Sequence, residues 1–273
     1  MTELNLSPEQ LDRYSRQLVL DGFGRAGQAA LAEGSVLVVG AGGLGSPAIM
    51  YLAAAGVARI GIADDDRLER SNLQRQIIHD EAAIGKAKVE SAADWVSAHN
   101  PEISVDIYDE RVDKTTVEDR VREYDLVVDA TDRFETRFLL NDACVLAETP
   151  YVYGAVYRFE GQLSTFWPAK SGPCYRCLFP EAPPAGAITD CATAGVLGPV
   201  PGTIGTLQST EAIKLLAEIG ELALGRLLVF DALSMSFESV KIAPNPSCPI
   251  CGDQPQIQTV EDVDYTGRCR IEH

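Results

Sequence analysis

The chain is short of the residues that hydrolases and membrane proteins depend on. It has three histidines in 273 residues (His79, His99 and His273), and none stands in a Ser/Asp or Cys pattern that would form a nucleophilic triad. No run approaches the roughly twenty apolar residues needed to cross a bilayer. The opening MTELNLSPEQ lacks a basic stretch followed by an apolar one, so no secretory signal is expected. Positive charge is scarce too: 23 Lys and Arg face 40 Asp and Glu, a formal net charge of −17. Such a surface repels phosphate backbones and anionic lipid, so neither nucleic acid nor membrane is an expected partner. Seven cysteines without a signal peptide point to a reducing compartment, by default the cytoplasm, where thiols act as metal ligands or nucleophiles rather than disulfides.

What is present is a large core and a regular rhythm. Hydrophobic residues make up 46% of the chain and recur along its whole length. Ser7-Pro8-Glu9-Gln10 reads as a helix start, with Ser7 as N-cap and Gln10 completing a capping box. The helix that follows is predicted to carry Leu11, Tyr14 and Leu18 on one face and to end near Asp21-Gly22. Short β-branched runs at Ser35–Val39, Arg59–Ala63, Ile103–Tyr108, Asp125–Ala130 and Pro150–Gly154 read as strands. Helices at Pro47–Ala55, Lys86–Ala98 and Phe134–Ala147 fall between them, the pattern of a parallel sheet covered on both faces. After about residue 155, Glu160–Trp167 and Arg226–Val240 show period-two stretches suited to antiparallel additions. A loop rich in Pro, Gly, Ala and Cys is expected over 168–202, and a helix over Thr206–Ile219. With no internal repeat and no flexible linker, residues 1–273 are read as one domain. It comprises a helical segment (1–34), a nucleotide-binding half (35–155), a second half (156–252) and a tail (253–273).

Gly40-Ala41-Gly42-Gly43-Leu44-Gly45 fits G-x-G-x-x-G between a strand and a helix, where glycines let the backbone approach a phosphate at the helix N-terminus. The run Asp64-Asp65-Asp66 closes the next strand, where an acid binds ribose hydroxyls. Alone, this suits a dinucleotide, and an NAD-dependent oxidoreductase is one reading. Ser71-Asn72-Leu73-Gln74-Arg75-Gln76 favours another, because an arginine-bearing polar segment supplies charged donors for a triphosphate. Lys88 adds a cation, or is a solvated helix lysine. Asp132 is placed to hold Mg²⁺, or caps the helix after it. A scaffold that keeps the fold without turnover is a third reading.

Cys174-x-x-Cys177 and Cys248-x-x-Cys251 are matched pairs, the ligand set of a closed tetrahedral S₄ zinc site that would clip the C-terminal segment to the body. Cys191 lies in a Gly- and Ala-rich segment, either as an exposed nucleophile or sulfur acceptor or as an inert small hydrophobe. Cys144 reads as core and Cys269 as incidental.

Taken in order, Arg13–Gln17, Gly40–Gly45, Asp64–Asp66, Ser71–Gln76, Thr131-Asp132, Cys174–Cys177, Ala194–Pro199 and Cys248–Cys251 resemble the motifs of the MoeB/ThiF family of sulfur-carrier adenylyltransferases, relatives of ubiquitin-activating enzymes. The resemblance runs from about residue 8 to 252. It implies a Rossmann-like, doubly wound, mainly parallel sheet extended by antiparallel C-terminal strands, with a zinc clip. It also implies ATP-dependent adenylation of the Gly-Gly carboxylate of a ubiquitin-like carrier, preparing it for thiocarboxylate formation. Gly40, Gly42, Gly43 and Gly45 would cradle the nucleotide, and Asp64, with Asp66 beside it, would take the ribose. Asn72, Arg75, Gln76 and Lys88 would meet the phosphates, Asp132 the Mg²⁺, and Arg16 would reach across a homodimer into the partner's site. A cysteine at the place of Cys191 is implicated in handling the activated carrier. A separate protein, a cysteine desulfurase or rhodanese-like protein, would supply the sulfur. Arg133 departs from the family, which usually has Asn after that aspartate. Thiamine, molybdopterin and thiolated-tRNA pathways all stay open.

Overall fold

The computed structural model describes residues 6–181 and 194–265. Its frame is one eight-stranded sheet. Five strands are parallel: β1 (Ser35–Val39), β2 (Arg59–Ala63), β3 (Ser104–Tyr108), β4 (Leu126–Asp129) and β5 (Tyr151–Tyr157). Three more, β6 (Glu160–Phe166), β7 (Arg226–Asp231) and β8 (Ser236–Lys241), continue antiparallel from β5. The spatial order is β3-β2-β1-β4-β5-β6-β7-β8, so chain direction across the sheet reverses between β1 and β4. Ligands of open α/β sheets settle at such a reversal, outside the carboxyl ends of the strands. The expected sheet, parallel with antiparallel additions, is the observed one.

The helices follow from the same sequence logic, with corrections. The capping box forms as read: Gln10 N donates to Ser7 Oγ at 3.2 Å, and Ser7 N to Gln10 Oε1 at 2.9 Å. The N-terminal helix does not run unbroken to Asp21, however. It splits at Tyr14 into α1 (Pro8–Arg13) and α2 (Ser15–Leu18). Tyr14 is pulled inward: Asn100 Nδ2 donates to its hydroxyl at 2.9 Å, and its ring lies where a Cβ on Gly56 would meet it at 2.7 Å. Gly56, in the left-handed conformation that ends a helix without Cβ strain, closes α4 (Gly45–Ala55).

Helix α3 (Gly24–Glu33) precedes β1, and α5 (Lys88–His99) leads into β3. α6 (Val117–Arg122) precedes β4, and α7 (Phe134–Leu146) follows it. A short α8 (Tyr175–Leu178) and a long α9 (Pro199–Ala217) complete the layers. Helix α9 begins seven residues before the expected Thr206, because prolines 199 and 201 sit in its first turn, where no intrahelical N–H is needed. Its Gln208 is fully buried and donates to Asp129 O at 2.5 Å and Val152 O at 3.2 Å, tying α9 to β4 and β5. No helix among the described residues is long and apolar enough to cross a membrane.

The tightest fit is where α4 meets β1. A Cβ on Gly45 would lie 1.9 Å from the carbonyl oxygen of Gly40, and Gly40 itself has φ +99°. Gly45→Ala is therefore expected to destabilise the fold by at least ~2 kcal/mol through overpacking against rigid backbone. Urea denaturation followed by circular dichroism would measure it, and an unchanged midpoint would contradict the assigned contact.

Candidate functional site

A cleft opens over the β1/β4 reversal, lined by loops that leave the carboxyl ends of β1, β2 and β4. Of the residues singled out in the sequence, Gly40, Gly42, Gly43, Asp64, Asp66, Asn72, Arg75, Gln76, Lys88 and Asp132 all line it. Gly45 does not line it. Its role is the close approach to Gly40 that lets α4 point its N-terminus into the cleft.

The phosphate loop is held by its second residue. Ala41 N donates to Asp64 Oδ2 at 2.7 Å, and Ala41 O is 2.9 Å from His79 Nε2. A carbonyl can only accept, so His79 carries its proton on Nε2, and its Nδ1 accepts from Ser91 Oγ at 2.9 Å. The same peptide is thus clamped from both sides. His79, without a catalytic partner in the sequence, has a structural one here, and burial holds its pKa below the usual imidazole range.

The acidic run is neutralised in part. Lys88, 5% exposed rather than solvated, reaches Asp66 Oδ2 at 2.7 Å. Asp64 Oδ1 accepts the Asp66 N–H at 2.9 Å. Burial raises the pKa of Asp64, against the pull of Lys88 and the two backbone N–H groups. Asn72 Oδ1 takes Glu69 N at 3.0 Å, and Arg75 Nη1 donates to Ser71 O at 3.1 Å, so both side chains brace the turn they belong to. Gln76 is 4% exposed, and its Oε1 has no hydrogen-bond partner.

Asp132 does not cap α7. Arg133 occupies the N-cap position, with no side-chain cap bond, and the Asp132 carboxylate is exposed in the cleft with no hydrogen bond or ion pair among the described residues. An exposed carboxylate of this kind suits a hard divalent cation, which retains several waters and takes few protein ligands. Beneath it lies a network the sequence reading missed. Fully buried Asp129 accepts from Tyr151 Oη at 2.5 Å and from Thr131 N and Oγ1 at 2.9 and 2.6 Å. Arg137 Nη2 donates to Thr131 O at 2.7 Å. The one signal for it was an arginine at position 137 on the buried face of an otherwise apolar helix.

A second, more apolar groove joins the cleft along β5, walled by Tyr153, Tyr157, Tyr175 and Phe179. Asp132, Arg133, Arg137 and Val156 line both. Arg16 lies on α2 and is not among the residues lining this chain's cleft. Cys191 lies outside the described residues, as do Cys269 and His273.

Remote from the cleft, the four cysteines converge. The Sγ atoms of Cys174, Cys177, Cys248 and Cys251 all lie within 4.8 Å of one another, with neighbouring pairs at 3.3 to 3.9 Å. Zinc–sulfur bonds of about 2.3 Å place tetrahedral sulfurs about 3.8 Å apart, so the set fits a metal ion. Asn245 N donates to Cys177 Sγ at 3.3 Å, an N–H of the kind that stabilises a thiolate.

A strand–glycine-loop–helix at the sheet reversal, an arginine-bearing turn over it and a cysteine cluster fastening the C-terminal segment define a ThiF-type nucleotide-binding protein. The chain belongs to the ThiF family, whose model matches residues 14–250. It is similar to the SAMP-activating enzyme E1 of Haloferax volcanii, 53% identical over 98% of both chains. It is similar also to the sulfur carrier protein adenylyltransferase of Thermus thermophilus, 47% identical over 96% of this chain and 98% of that one. Among solved structures, Escherichia coli MccB in complex with ATP superposes with a TM-score of 0.77 at 26% identity, covering 92% of this chain and 77% of that one.

Because His79 is buried neutral, the unfolded chain takes up its proton first as pH falls below about 6.5, and stability declines until the folded group also protonates. His79→Gln keeps an Nε2 donor for Ala41 and removes that titration. Its melting temperature is expected to fall less than the wild type's between pH 7 and pH 5. An equal fall in both proteins would remove His79 from the acid response.

Proposed function

We propose that this chain is an ATP-dependent adenylyltransferase acting on the C-terminal carboxylate of a small ubiquitin-like sulfur-carrier protein. The observation that carries the reading is the junction of two cavities. A nucleotide cleft with the phosphate loop, Arg75, Lys88 and Asp132 shares Asp132, Arg133, Arg137 and Val156 with an apolar groove along β5, which suits a peptide tail. The name of the Thermus relative, a sulfur carrier protein adenylyltransferase, supports the same activity and the same kind of substrate.

The chemistry needs positioning more than proton transfer. The carrier carboxylate attacks the α-phosphorus of ATP, an acyl–phosphate C–O–P linkage forms, and the bond to the β-phosphate's bridging oxygen breaks, releasing pyrophosphate. Phosphate-loop N–H groups and Arg75 hold the triphosphate against the developing charge, and Lys88 holds the acidic turn that receives the ribose. Mg²⁺, for which Asp132 offers the free carboxylate, neutralises charge on the phosphates when bound. Arg16 completes the site from the other subunit of a homodimer, consistent with its absence from its own cleft. The carrier's globular part docks on β6 to β8, where Phe159, Leu233, Met235 and Phe237 are exposed. A separate donor then delivers sulfide-level sulfur to the acyl carbon, the bond to AMP breaks, and the thiocarboxylate forms, with Cys191 the chain's own thiol for accepting sulfur. The four-cysteine cluster holds structural Zn²⁺, and its reduced thiols suit the cytoplasm.

ATP–pyrophosphate exchange with Mg²⁺ and a panel of Gly-Gly-ended carriers is expected to be carrier-dependent. No exchange with any carrier, from folded protein, would overturn the reading. Arg16→Ala and Asp132→Ala should each lower exchange by on the order of 10³-fold, while a mixed dimer of the two recovers activity through its one intact site. Failure to recover, with the mixed dimer demonstrated, would remove Arg16 from the partner's site. Purified protein is expected to carry one zinc per chain by elemental analysis, and Cys248→Ala to lose it. Metal-free protein as stable as the wild type would count against the clip.

A further inference from the structure

Among the described α-helices, α7 alone carries a cation at its N-cap. N-cap positions favour small acceptors such as Ser, Thr, Asp and Asn, and a cation there opposes the helix dipole. Arg133 occupies it, exposed, and its guanidinium makes no hydrogen bond or ion pair among the described residues. A second arginine lies one turn on. Arg137 is 6% exposed, lines both the cleft and the groove, and has an Nε with no hydrogen-bond partner, 3.8 Å from Asp129 Oδ2. Two guanidinia and uncapped helix N–H groups therefore meet at the mouth shared by the two cavities. Such local violations of helix electrostatics are expected where a ligand supplies the missing charge.

We infer that Arg133, backed by Arg137, is the receptor for the terminal carboxylate of the incoming carrier tail, and so a specificity-determining residue for the reaction. This rests on the adenylation reading. The position selects the carboxylate over the other anions present. The groove runs along β5 to this mouth; of its three acids, Glu135 and Glu160 line only the groove, while Asp132 lies at the mouth, where the two guanidinia outnumber it. An anionic tail end passes them to the shared mouth, where the Arg133 guanidinium can donate two parallel hydrogen bonds to it. Arg75 and the phosphate loop already serve the triphosphate on the cleft side.

The test uses full-length enzyme and the carrier that best supports exchange in the wild type. Arg133→Ala is expected to raise the KM for carrier about tenfold while leaving the KM for ATP within a factor of two, and Arg133→Lys should fall between. Binding of that carrier with a free or an amidated C-terminus, measured by calorimetry without ATP, supplies a readout that a structural defect does not move. The wild type should prefer the carboxylate form, and Arg133→Ala should bind both alike at its lower affinity. An undiminished preference for the carboxylate in the variant overturns the proposal. A rise confined to the KM for ATP also overturns it and reassigns Arg133 to the phosphates. Wild-type enzyme with no exchange on any carrier fails the underlying reading instead, and this proposal with it.

Discussion

The contact between Gly45 and the carbonyl of Gly40 governs everything above the sheet. Because no Cβ intervenes, α4 can start within van der Waals reach of the end of β1 and direct its free N–H groups into the cleft. The loop between them is then short enough to be gripped through one peptide, with Asp64 on the Ala41 amide and His79 on its carbonyl. Asp64 comes from the end of β2, and His79 from the turn that also carries Arg75. The positions of ribose acid, phosphate loop and arginine turn are therefore not independent. A shift of the loop would break hydrogen bonds in two neighbouring elements at once.

The overall charge makes the site electrostatically distinctive. In a chain with a net charge of −17, five cations, Arg75, Lys88, Arg111, Arg133 and Arg137, line the cleft against five acids, Asp64, Asp65, Asp66, Glu110 and Asp132. Charge is balanced there, whereas the rest of the surface carries the excess of carboxylates and repels anions. Some of these cations are spent internally. Lys88 pairs with Asp66 and Arg111 with Asp65, which sets the acidic turn in place instead of leaving it to repel phosphate.

Much of this was legible in the sequence, for identifiable reasons. The strands β1 and β2 are short β-branched runs bounded by glycine or acid, and their limits were readable to the residue. The cysteine cluster was readable because two C-x-x-C pairs have few alternative uses. Helix α3 was not, since GRAGQAALAE carries mostly alanine and glycine and presents little apolar contrast, although Leu31 and Gln28 are buried. The start of α9 was hidden by prolines that mark a loop in one context and a first helical turn in another. The break at Tyr14 depends on Asn100, 86 residues away, a partner no local pattern contains. The Asp129–Tyr151–Arg137 network escaped for the same reason, because buried polar groups are defined by what the fold brings to them.

The cysteine cluster has a consequence for how the chain unfolds. Cys174 and Cys248 are 74 residues apart, and the segment between them contains α9 and the edge strands β7 and β8. A metal ion bridging both knuckles turns that segment into a closed ring. In a chain-entropy treatment, such a ring lowers the freedom of the denatured state by roughly 4 kcal/mol at room temperature. The ring holds β7 and β8 and leaves β1 to β6 outside it. Strands β7 and β8 at the sheet's edge would therefore lose this topological restraint when the metal departs, while β1 to β6 keep the cohesion of their own core, so that the edge and the body of one continuous sheet would come apart in sequence rather than together.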